Sequence, residues 1–270
     1  MKHIQPIAIS LSLLAIAGPL LVGCNGSKPS ATNKSSPNEL KSKKIDSSPV
    51  LNTSEIAKRA KAITVRIEGS GSPGSGVLVK KDKNRYTVLT SWHVVNGLRY
   101  EDEAIIVTPD GKKHVPKQES IQRLGQVDLA VLTFSSTSSY GLAALGYVKS
   151  VVSGDPLFVS GFPLATTAVP RQLFRFLEGK AIANATVAIV DGYQLLYSNL
   201  TLPGMSGGPV LNTQGKLVAI HGRSEKDDQV SMSMGKRVST GTNQGVPISF
   251  YKQFIAGEDI VSYSSEGKSV

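Results

Sequence analysis

The sequence has 270 residues, of which 40% are hydrophobic and 19% charged, so it can build a core and is not disordered throughout. The net charge is +10, but Lys and Arg are spread along the chain without a basic helix or interleaved aromatic residues. Nucleic acid is therefore not expected as a partner. Frequent glycine and β-branched runs between turn signals predict an all-β protein. The single cysteine, Cys24, excludes an intramolecular disulfide.

Residues 1–23 have the pattern of an export signal. The apolar run from about Ile7 to Val22 is interrupted by Pro19 and is too short for a comfortable membrane-spanning helix. Its end, Leu21-Val22-Gly23-Cys24, resembles the lipobox of bacterial lipoproteins, which implies cleavage before Cys24 and lipidation of its thiol. An ordinary signal peptide with an incidental cysteine is the alternative. We expect an exported lipoprotein, anchored in a membrane of the bacterial cell envelope on its periplasmic or outer side.

Residues 24–52 are predicted to form a flexible, lipid-anchored tether. The stretch from 25 to 50 is rich in Ser, Asn, Lys and Pro, and holds five lysines against Glu39 and Asp46. Such a composition cannot bury a core. A short helix is predicted to follow, from Ser54 to Ala62.

Strand signals then fall into two groups separated by a Ser-rich break. The first group covers 62–68, 76–81, 86–91, 104–108, 113–118 and 127–134. The second covers 157–161, 176–184, 194–198, 209–211 and 217–221, and a short helix is predicted over 248–255. About six strands followed by about six more indicate two small antiparallel barrels, at about 60–135 and about 150–247.

The motif most informative about chemistry is Gly204-Met205-Ser206-Gly207-Gly208-Pro209. It places a serine in a tight, glycine-lined turn that can aim two backbone N–H groups at a point beside the hydroxyl. Acyl transfer needs such a nucleophile with donors at the place where an oxyanion forms. Taken alone, the hexapeptide is equally compatible with a plain turn between two strands.

A serine nucleophile needs a base, and the base needs an orienting acid. Of the four histidines, His3 lies in the export segment and His114 is predicted to be a solvated strand residue among lysines. His93 follows an apolar strand, where it is well placed to point into a cleft, although a packing role is the alternative. Asp128 lies near the start of an apolar strand, where a carboxylate is costly to bury without a partner. Its alternative role is to cap a turn.

The order His93, Asp128, Ser206 is that of chymotrypsin-like (trypsin-like) serine proteases. The resemblance rests on these motifs: Thr90-Ser91-Trp92-His93, Asp128-Leu129-Ala130-Val131, the hexapeptide around Ser206, and Gly74-Ser75-Gly76-Val77 as the strand that enters the first barrel. It covers about residues 60–255. It implies two six-stranded antiparallel β-barrels of the chymotrypsin type, with a short C-terminal helix, within a peptidase domain at 53–262. Residues 263–270 are then a tail.

The same resemblance implies a serine endopeptidase that acts on protein or peptide substrates and needs no cofactor or metal. His93 is expected to be the base, Asp128 its orienting acid and Ser206 the nucleophile. The backbone N–H groups of Gly204 and Ser206 are expected to form the oxyanion hole. Met205 stands where many animal members have an aspartate that pairs with a new N-terminus, so the site is expected to be competent without cleavage.

Specificity is predicted from the residues around the nucleophile. Thr201, His221 and Ser224 are similar to the residues that bind the P1 carboxylate in bacterial glutamyl endopeptidases, which implies a preference for Glu at P1. The alternative is a pocket that accepts small or apolar side chains, with His221 packed at a strand end. Arg223 either adds positive potential or faces water.

The sequence is also compatible with two other functions. One is a non-catalytic binding module on the same fold, with a collapsed oxyanion hole. The other is an envelope quality-control protease of broad specificity.

Overall fold

The computed structural model of the protein describes residues 48–69, 72–98, 104–227, 235 and 238–260. The proposed signal peptide, Cys24, most of the tether and the tail at 263–270 lie outside this range. No helix in the described part is both long enough and apolar enough to span a membrane.

The described residues form three α-helices and thirteen strands. The helices are α1 (Thr53–Ile63), α2 (Trp92–Val95) and α3 (Ile248–Ala256). The strands of the N-terminal half are β1 (Thr64–Glu68), β2 (Gly74–Asp82), β3 (Arg85–Thr90), β4 (Ile105–Val107), β5 (Lys113–His114), β6 (Gln122–Arg123) and β7 (Ala130–Ser135). Those of the C-terminal half are β8 (Pro156–Gly161), β9 (Arg175–Asn184), β10 (Leu195–Tyr197), β11 (Pro209–Leu211), β12 (Leu217–Asp227) and β13 (Val238–Pro247).

The N-terminal half differs from the predicted six-stranded barrel. Its strands form one antiparallel seven-stranded sheet in the order β5-β4-β1-β2-β3-β7-β6. The sheet curls, since the Lys117 N–H just beyond β5 donates to the carbonyl of Thr133 in β7 at 3.0 Å. Both edge strands have only two residues, and no ladder joins them within the described residues. Short edges therefore leave this half as a curled sheet rather than a hydrogen-bonded barrel.

The C-terminal half is the closed six-stranded barrel that was predicted, in the order β10-β13-β12-β11-β8-β9. Strand β13 was not predicted, and β12 was predicted to end at His221 but continues to Asp227. The polar residues beyond His221 pair with β13 as a two-stranded ribbon. A ribbon needs no alternating apolar face, so the hydrophobic pattern gave no signal for it.

Helix α1 confirms the predicted helix and is one residue longer at each end. A capping box starts it: the Asn52 side chain accepts from the Glu55 N–H at 2.9 Å, and the Glu55 carboxylate accepts from the Asn52 N–H at 3.0 Å. Just before the helix, the Leu51 N–H donates to the carbonyl of Thr213 at 2.9 Å. The last residues assigned to the tether are therefore attached to the C-terminal barrel.

The seam between the two halves is filled by one apolar cluster. It joins Ile56 of α1 to Leu89 of the first sheet, Ile220 of the barrel and Phe250 of α3, all of which are buried. The predicted C-terminal helix is present as α3, and its residues Ile248, Phe250 and Tyr251 belong to this cluster. The elements that carry the candidate site meet along the same seam.

Candidate active site

The turn before Ser206 has a defined type. The Met205 N–H donates to the Leu202 carbonyl at 3.1 Å, and Gly204, the third residue of the turn, has φ +93°. With Pro203 in second position this is a type II turn, which needs a positive φ at the glycine. A type I turn would reverse the Pro203–Gly204 peptide and point its N–H the opposite way. Within the described residues, the N–H groups of Gly204 and Ser206 have no protein acceptor.

Glycines at 207 and 208 let the serine turn touch both halves of the molecule. A Cβ at Gly207 would lie 2.0 Å from the carbonyl oxygen of Ser75, and one at Gly208 equally close to that of Ser160. The Ser75 hydroxyl in turn donates to the Gly204 carbonyl at 2.9 Å. The first sheet therefore fixes the turn through backbone contacts that no larger residue allows.

Met205 is fully buried. Its side chain belongs to the apolar cluster inside the C-terminal barrel, together with Val159, Leu195 and Val210. Apolar packing inside the barrel therefore holds the turn at Met205. An aspartate at this position would instead need an ion-pair partner.

His93 and Asp128 are joined as the sequence predicted, although their local settings differ. His93 lies on the one-turn helix α2 rather than at the end of β3, and Asp128 lies two residues before β7 begins at Ala130. The His93 N–H donates to Asp128 Oδ1 at 2.9 Å, and His93 Nδ1 lies 2.7 Å from Oδ2. Two contacts fix the position of the ring relative to the carboxylate and leave Nε2 for the cleft.

The Asp128 carboxylate has a third hydrogen bond, from a second residue. The Tyr193 hydroxyl donates to Asp128 Oδ2 at 2.5 Å, and it comes from the C-terminal barrel. Burial by itself would raise the pKa of the Asp128 carboxyl. The hydrogen bond and charge attraction of His93, with the bond from Tyr193, outweigh it and hold this pKa below its ordinary value. The carboxylate is therefore ionised at neutral pH despite being only 6% exposed.

Ser206 and His93 line the same cleft, which has a volume of about 670 Å³. The Ser206 hydroxyl donates to the Gly222 carbonyl at 2.8 Å, and no hydrogen bond joins it to His93 among the described residues. Gly222 is the extra residue of a β-bulge in β12, and the bulge turns its carbonyl toward the serine. The expected bond between nucleophile and base is thus replaced by one to the backbone.

The three residues predicted for the P1 pocket also line this cleft. The hydroxyls of Thr201 and Ser224 both donate to Asn243 Oδ1, at 2.5 and 2.9 Å. Asn243 was not predicted, because it lies in β13, the strand that the hydrophobic pattern missed. Its amide links the two sides of the pocket.

His221 is 2% exposed at the inner wall of the cleft. Its Nδ1 lies 2.7 Å from the Tyr197 hydroxyl, which is also 3.2 Å from the carbonyl of Gln244. Burial, with a smaller contribution from the nearby His93, lowers the pKa of His221 to about 3. The imidazole is therefore neutral at pH 7 and carries a single N–H, which lies at Nε2 when Nδ1 accepts from the Tyr197 hydroxyl.

Arg223 does more than face water. Its guanidinium lies 4.1 Å from the centroid of the Tyr193 ring and 3.6 Å from the Asp191 carboxylate. Lys226 and Glu225 complete the charged rim of the cleft. The Arg223 side chain is 45% exposed, so it both packs on Tyr193 and contributes positive charge at the rim.

His114 was predicted to be solvated, but it is only partly exposed on β5. Its Nε2 lies 3.3 Å from the Thr108 hydroxyl and 3.2 Å from that of Tyr140, so it belongs to a polar network of the first sheet. No group of three His, Cys, Asp or Glu side chains in the described ranges is arranged to hold a metal ion.

The sequence contains little signal for the supporting residues. Tyr193 follows a turn at Asp191 and Gly192, but nothing in its spacing relates it to Asp128, 65 positions away. Tyr197 lies in the predicted strand at 194–198, and nothing in the sequence indicated its contact with His221. Such contacts arise only from the closure of the barrel.

Comparison with known proteins agrees with this geometry. Residues 74–220, just over half of the chain, match the family described as the trypsin-like peptidase domain. The chain belongs to this family, which is a family of serine endopeptidases. The serine protease Do-like HtrA of Bacillus subtilis is 29% identical over 164 residues, covering 60% of this chain and 35% of that protein.

A second relative is the glutamyl endopeptidase of Staphylococcus epidermidis, 27% identical over 166 residues, covering 59% of this chain and 57% of that protein. The matched regions are thus less than two thirds of these relatives' own lengths. A solved structure of an HtrA-type protease with a tripeptide has a TM-score of 0.59 at 18% identity. It covers 77% of this chain and 63% of that one, and its likeness is one of fold.

The buried, neutral His221 predicts how stability depends on pH. Its pKa of about 3 lies below the value near 6.5 in the unfolded chain, so the unfolded state binds more protons between these values. The contribution of His221 to the free energy of unfolding is fully present above about pH 6.5 and is lost as the pH falls toward 3. We expect the free energy of unfolding to fall by about 1.4 kcal/mol per pH unit more steeply in the wild type than in His221→Gln between pH 6 and 4. Urea unfolding of both proteins across this range measures it, and parallel pH curves would contradict it.

Proposed function

We propose that this chain hydrolyses peptide bonds through an acyl-enzyme on Ser206, with His93 as general base and Asp128 as its orienting acid. The observation that carries the proposal is the doubly hydrogen-bonded His93–Asp128 pair, which shares one cleft with Ser206. The unpaired N–H groups of Gly204 and Ser206 supply the donors that a developing oxyanion needs. The serine protease relatives support the same reaction class.

The reaction follows from where protons and charges go. The Ser206 hydroxyl leaves its bond to the Gly222 carbonyl and turns toward His93 Nε2, a kind of contact that often tightens only in the substrate complex. Its oxygen bonds to the substrate carbonyl carbon while its proton passes to His93, and Asp128 stabilises the imidazolium. The same proton then goes to the leaving amine as the C–N bond breaks, which leaves the acyl-enzyme. Water, deprotonated by His93, bonds to the acyl carbon, the ester bond to Ser206 breaks, and His93 returns the proton to the Ser206 oxygen.

The site is proposed to be active without proteolytic processing. The oxyanion turn is held by the buried side chain of Met205 and by the Ser75 hydroxyl, and neither contact requires a free N-terminus. Its type II geometry leaves the Gly204 N–H free of internal acceptors.

We further propose that the P1 pocket prefers glutamate. A carboxylate that enters between Thr201, His221 and Ser224 meets two hydroxyls and one imidazole N–H. To donate to this carboxylate, the hydroxyls of Thr201 and Ser224 rotate away from Asn243 Oδ1. Hydrogen bonds to a charged group contribute about 1.5–3 kcal/mol each, and two of them favour Glu over Gln by on the order of a hundredfold. The similarity to a glutamyl endopeptidase supports the same pocket.

A non-catalytic binding module is the second candidate, because the Ser206 hydroxyl is bonded to the Gly222 carbonyl rather than to His93. Covalent labelling by a fluorophosphonate separates the two functions. A binding module has no activated serine and stays unlabelled, whereas the proposed enzyme reacts.

Ser206→Ala in the full chain is expected to abolish fluorophosphonate labelling and to lower kcat for a peptide substrate by about a millionfold, because no nucleophile remains. His93→Ala should lower kcat to a similar degree. The matched control is Ser198→Ala, an exposed serine of the same barrel that bonds to Lys180, which should label at the wild-type rate. Labelling of Ser206→Ala as fast as the wild type would rule out the proposed nucleophile.

A set of peptides that differ only at P1 (Glu, Gln, Ala or Lys) tests the pocket. Glu should exceed Gln in kcat/KM by on the order of a hundredfold. Thr201→Val and Ser224→Ala should each reduce this ratio about tenfold, while the rate for the Ala peptide stays within about threefold. His114→Ala, which lies in the first sheet, is the control and should keep the wild-type ratio. Equal cleavage of the Glu and Ala peptides by the wild type would overturn the pocket assignment.

A further inference from the structure

We infer that Tyr193 is a positioning residue of the catalytic machinery: its hydroxyl, supplied by the C-terminal barrel, holds the Asp128 carboxylate in the orientation that His93 needs. The inference rests on the proposed His93–Asp128–Ser206 triad and adds a fourth residue that no local motif contains.

The two oxygens of the Asp128 carboxylate have different hydrogen-bond partners. Asp128 Oδ1 accepts from the backbone N–H of His93, and Oδ2 lies 2.7 Å from the His93 ring and 2.5 Å from the Tyr193 hydroxyl. Both contacts with His93 come from the first sheet and move with α2. Tyr193 provides the one side-chain contact to this carboxylate from the opposite half, among the described residues, so it fixes the carboxylate relative to the barrel that carries Ser206.

The loop that carries Tyr193 is seated directly on the backbone of Asp128. The carbonyl of Asp191 accepts from the Asp128 N–H at 2.8 Å. Asp191 and Gly192 both have positive φ, 61° and 82°, and a Cβ at Gly192 would lie 2.6 Å from the Val127 side chain. This tight turn brings the β9–β10 loop against the start of β7 and delivers Tyr193 at the next position.

Contacts on the face and the edge of the Tyr193 ring hold it in one position. The Arg223 guanidinium lies over the ring, and it is itself held by Asp191 and by Gln244 Oε1 at 2.9 Å. At Gly222 an added Cβ would lie 2.3 Å from both the ring and the hydroxyl oxygen. Tyr193 therefore occupies the space that a side chain at position 222 would fill, and only glycine is compatible with it there.

The hydroxyl acts as a donor and does not exchange its proton in the reaction. Tyr193 is 1% exposed, and its burial together with the adjacent Asp128 charge raises the pKa of its phenol well above the usual range. It is thus protonated at any pH at which the enzyme works. Its role is geometric: when His93 takes up the serine proton, the carboxylate already faces the ring and need not reorient.

Tyr193→Phe removes this donor and keeps the ring that packs on Arg223 and Gly222. Since a hydrogen bond to a charged group contributes about 1.5–3 kcal/mol, we expect kcat to fall roughly ten- to a hundredfold. KM should change less than about threefold, because the tyrosine hydroxyl does not line the substrate cleft. Rates are normalised to folded protein by circular dichroism. An unchanged kcat would overturn the inference.

The matched control is Tyr86→Phe. Tyr86 is also fully buried, and its hydroxyl donates to the Ser138 carbonyl at 2.8 Å within the first sheet. Tyr86→Phe removes this hydrogen bond and should lower the melting temperature, as Tyr193→Phe does. It should leave kcat at the wild-type value. Equal losses of kcat in the two variants would assign the Tyr193 effect to general destabilisation.

A double-mutant cycle with Asp128→Asn separates this inference from the proposed triad. If Tyr193 acts through the carboxylate, Tyr193→Phe should change kcat less than about threefold in the Asp128→Asn background, whereas independent effects would multiply. Multiplicative effects overturn the positioning role. An Asp128→Asn variant with the wild-type kcat would instead contradict the triad itself. A large loss in Asp128→Asn with none in Tyr193→Phe overturns only the inference.

Discussion

A buried carboxylate that must stay ionised is the constraint on which the site depends. Asp128 lies in the seam between the first sheet and the barrel, where loss of water would favour its protonated form. Donors from both halves compensate: the backbone and ring of His93 on one side, and the hydroxyl of Tyr193 on the other. The two halves are therefore registered against each other by the same hydrogen bonds that prepare the imidazole.

The serine turn obeys a second constraint, which is steric. Gly207 lets the serine turn approach the first sheet backbone to backbone, and Gly208 lets it approach β8 of the barrel in the same way. The Ser75 hydroxyl of the first sheet reaches the Gly204 carbonyl beside these contacts. Met205 closes the turn from the core side. The two N–H groups that we propose as oxyanion donors are thus fixed by packing from the first sheet and from the barrel core.

Much of this arrangement could be predicted from the sequence. His93, Asp128 and Ser206 are flanked by local motifs in a recognisable order, and the closed barrel follows from strand and turn signals. The helix predicted over 54–62 is present as α1. Tyr193, Asn243 and strand β13 could not be found in the same way. Their contacts join residues far apart in the chain, and a polar ribbon strand has no apolar period to reveal it. The seven-stranded sheet was not predicted for a related reason. Edge strand β6 has two residues and is too short to leave a pattern, and the strand predicted over 113–118 forms only the two residues of β5.

The central claim is that three distant side chains and two backbone donors converge on one reacting atom. A crystal structure of the full chain after reaction with a peptidyl phosphonate tests it directly. We predict a covalent bond from phosphorus to Ser206 Oγ, with the phosphonyl oxygen within hydrogen-bond distance of the N–H groups of Gly204 and Ser206, and His93 Nε2 beside the adduct. An adduct on another side chain, or a phosphonyl oxygen turned away from both N–H groups, would contradict the account.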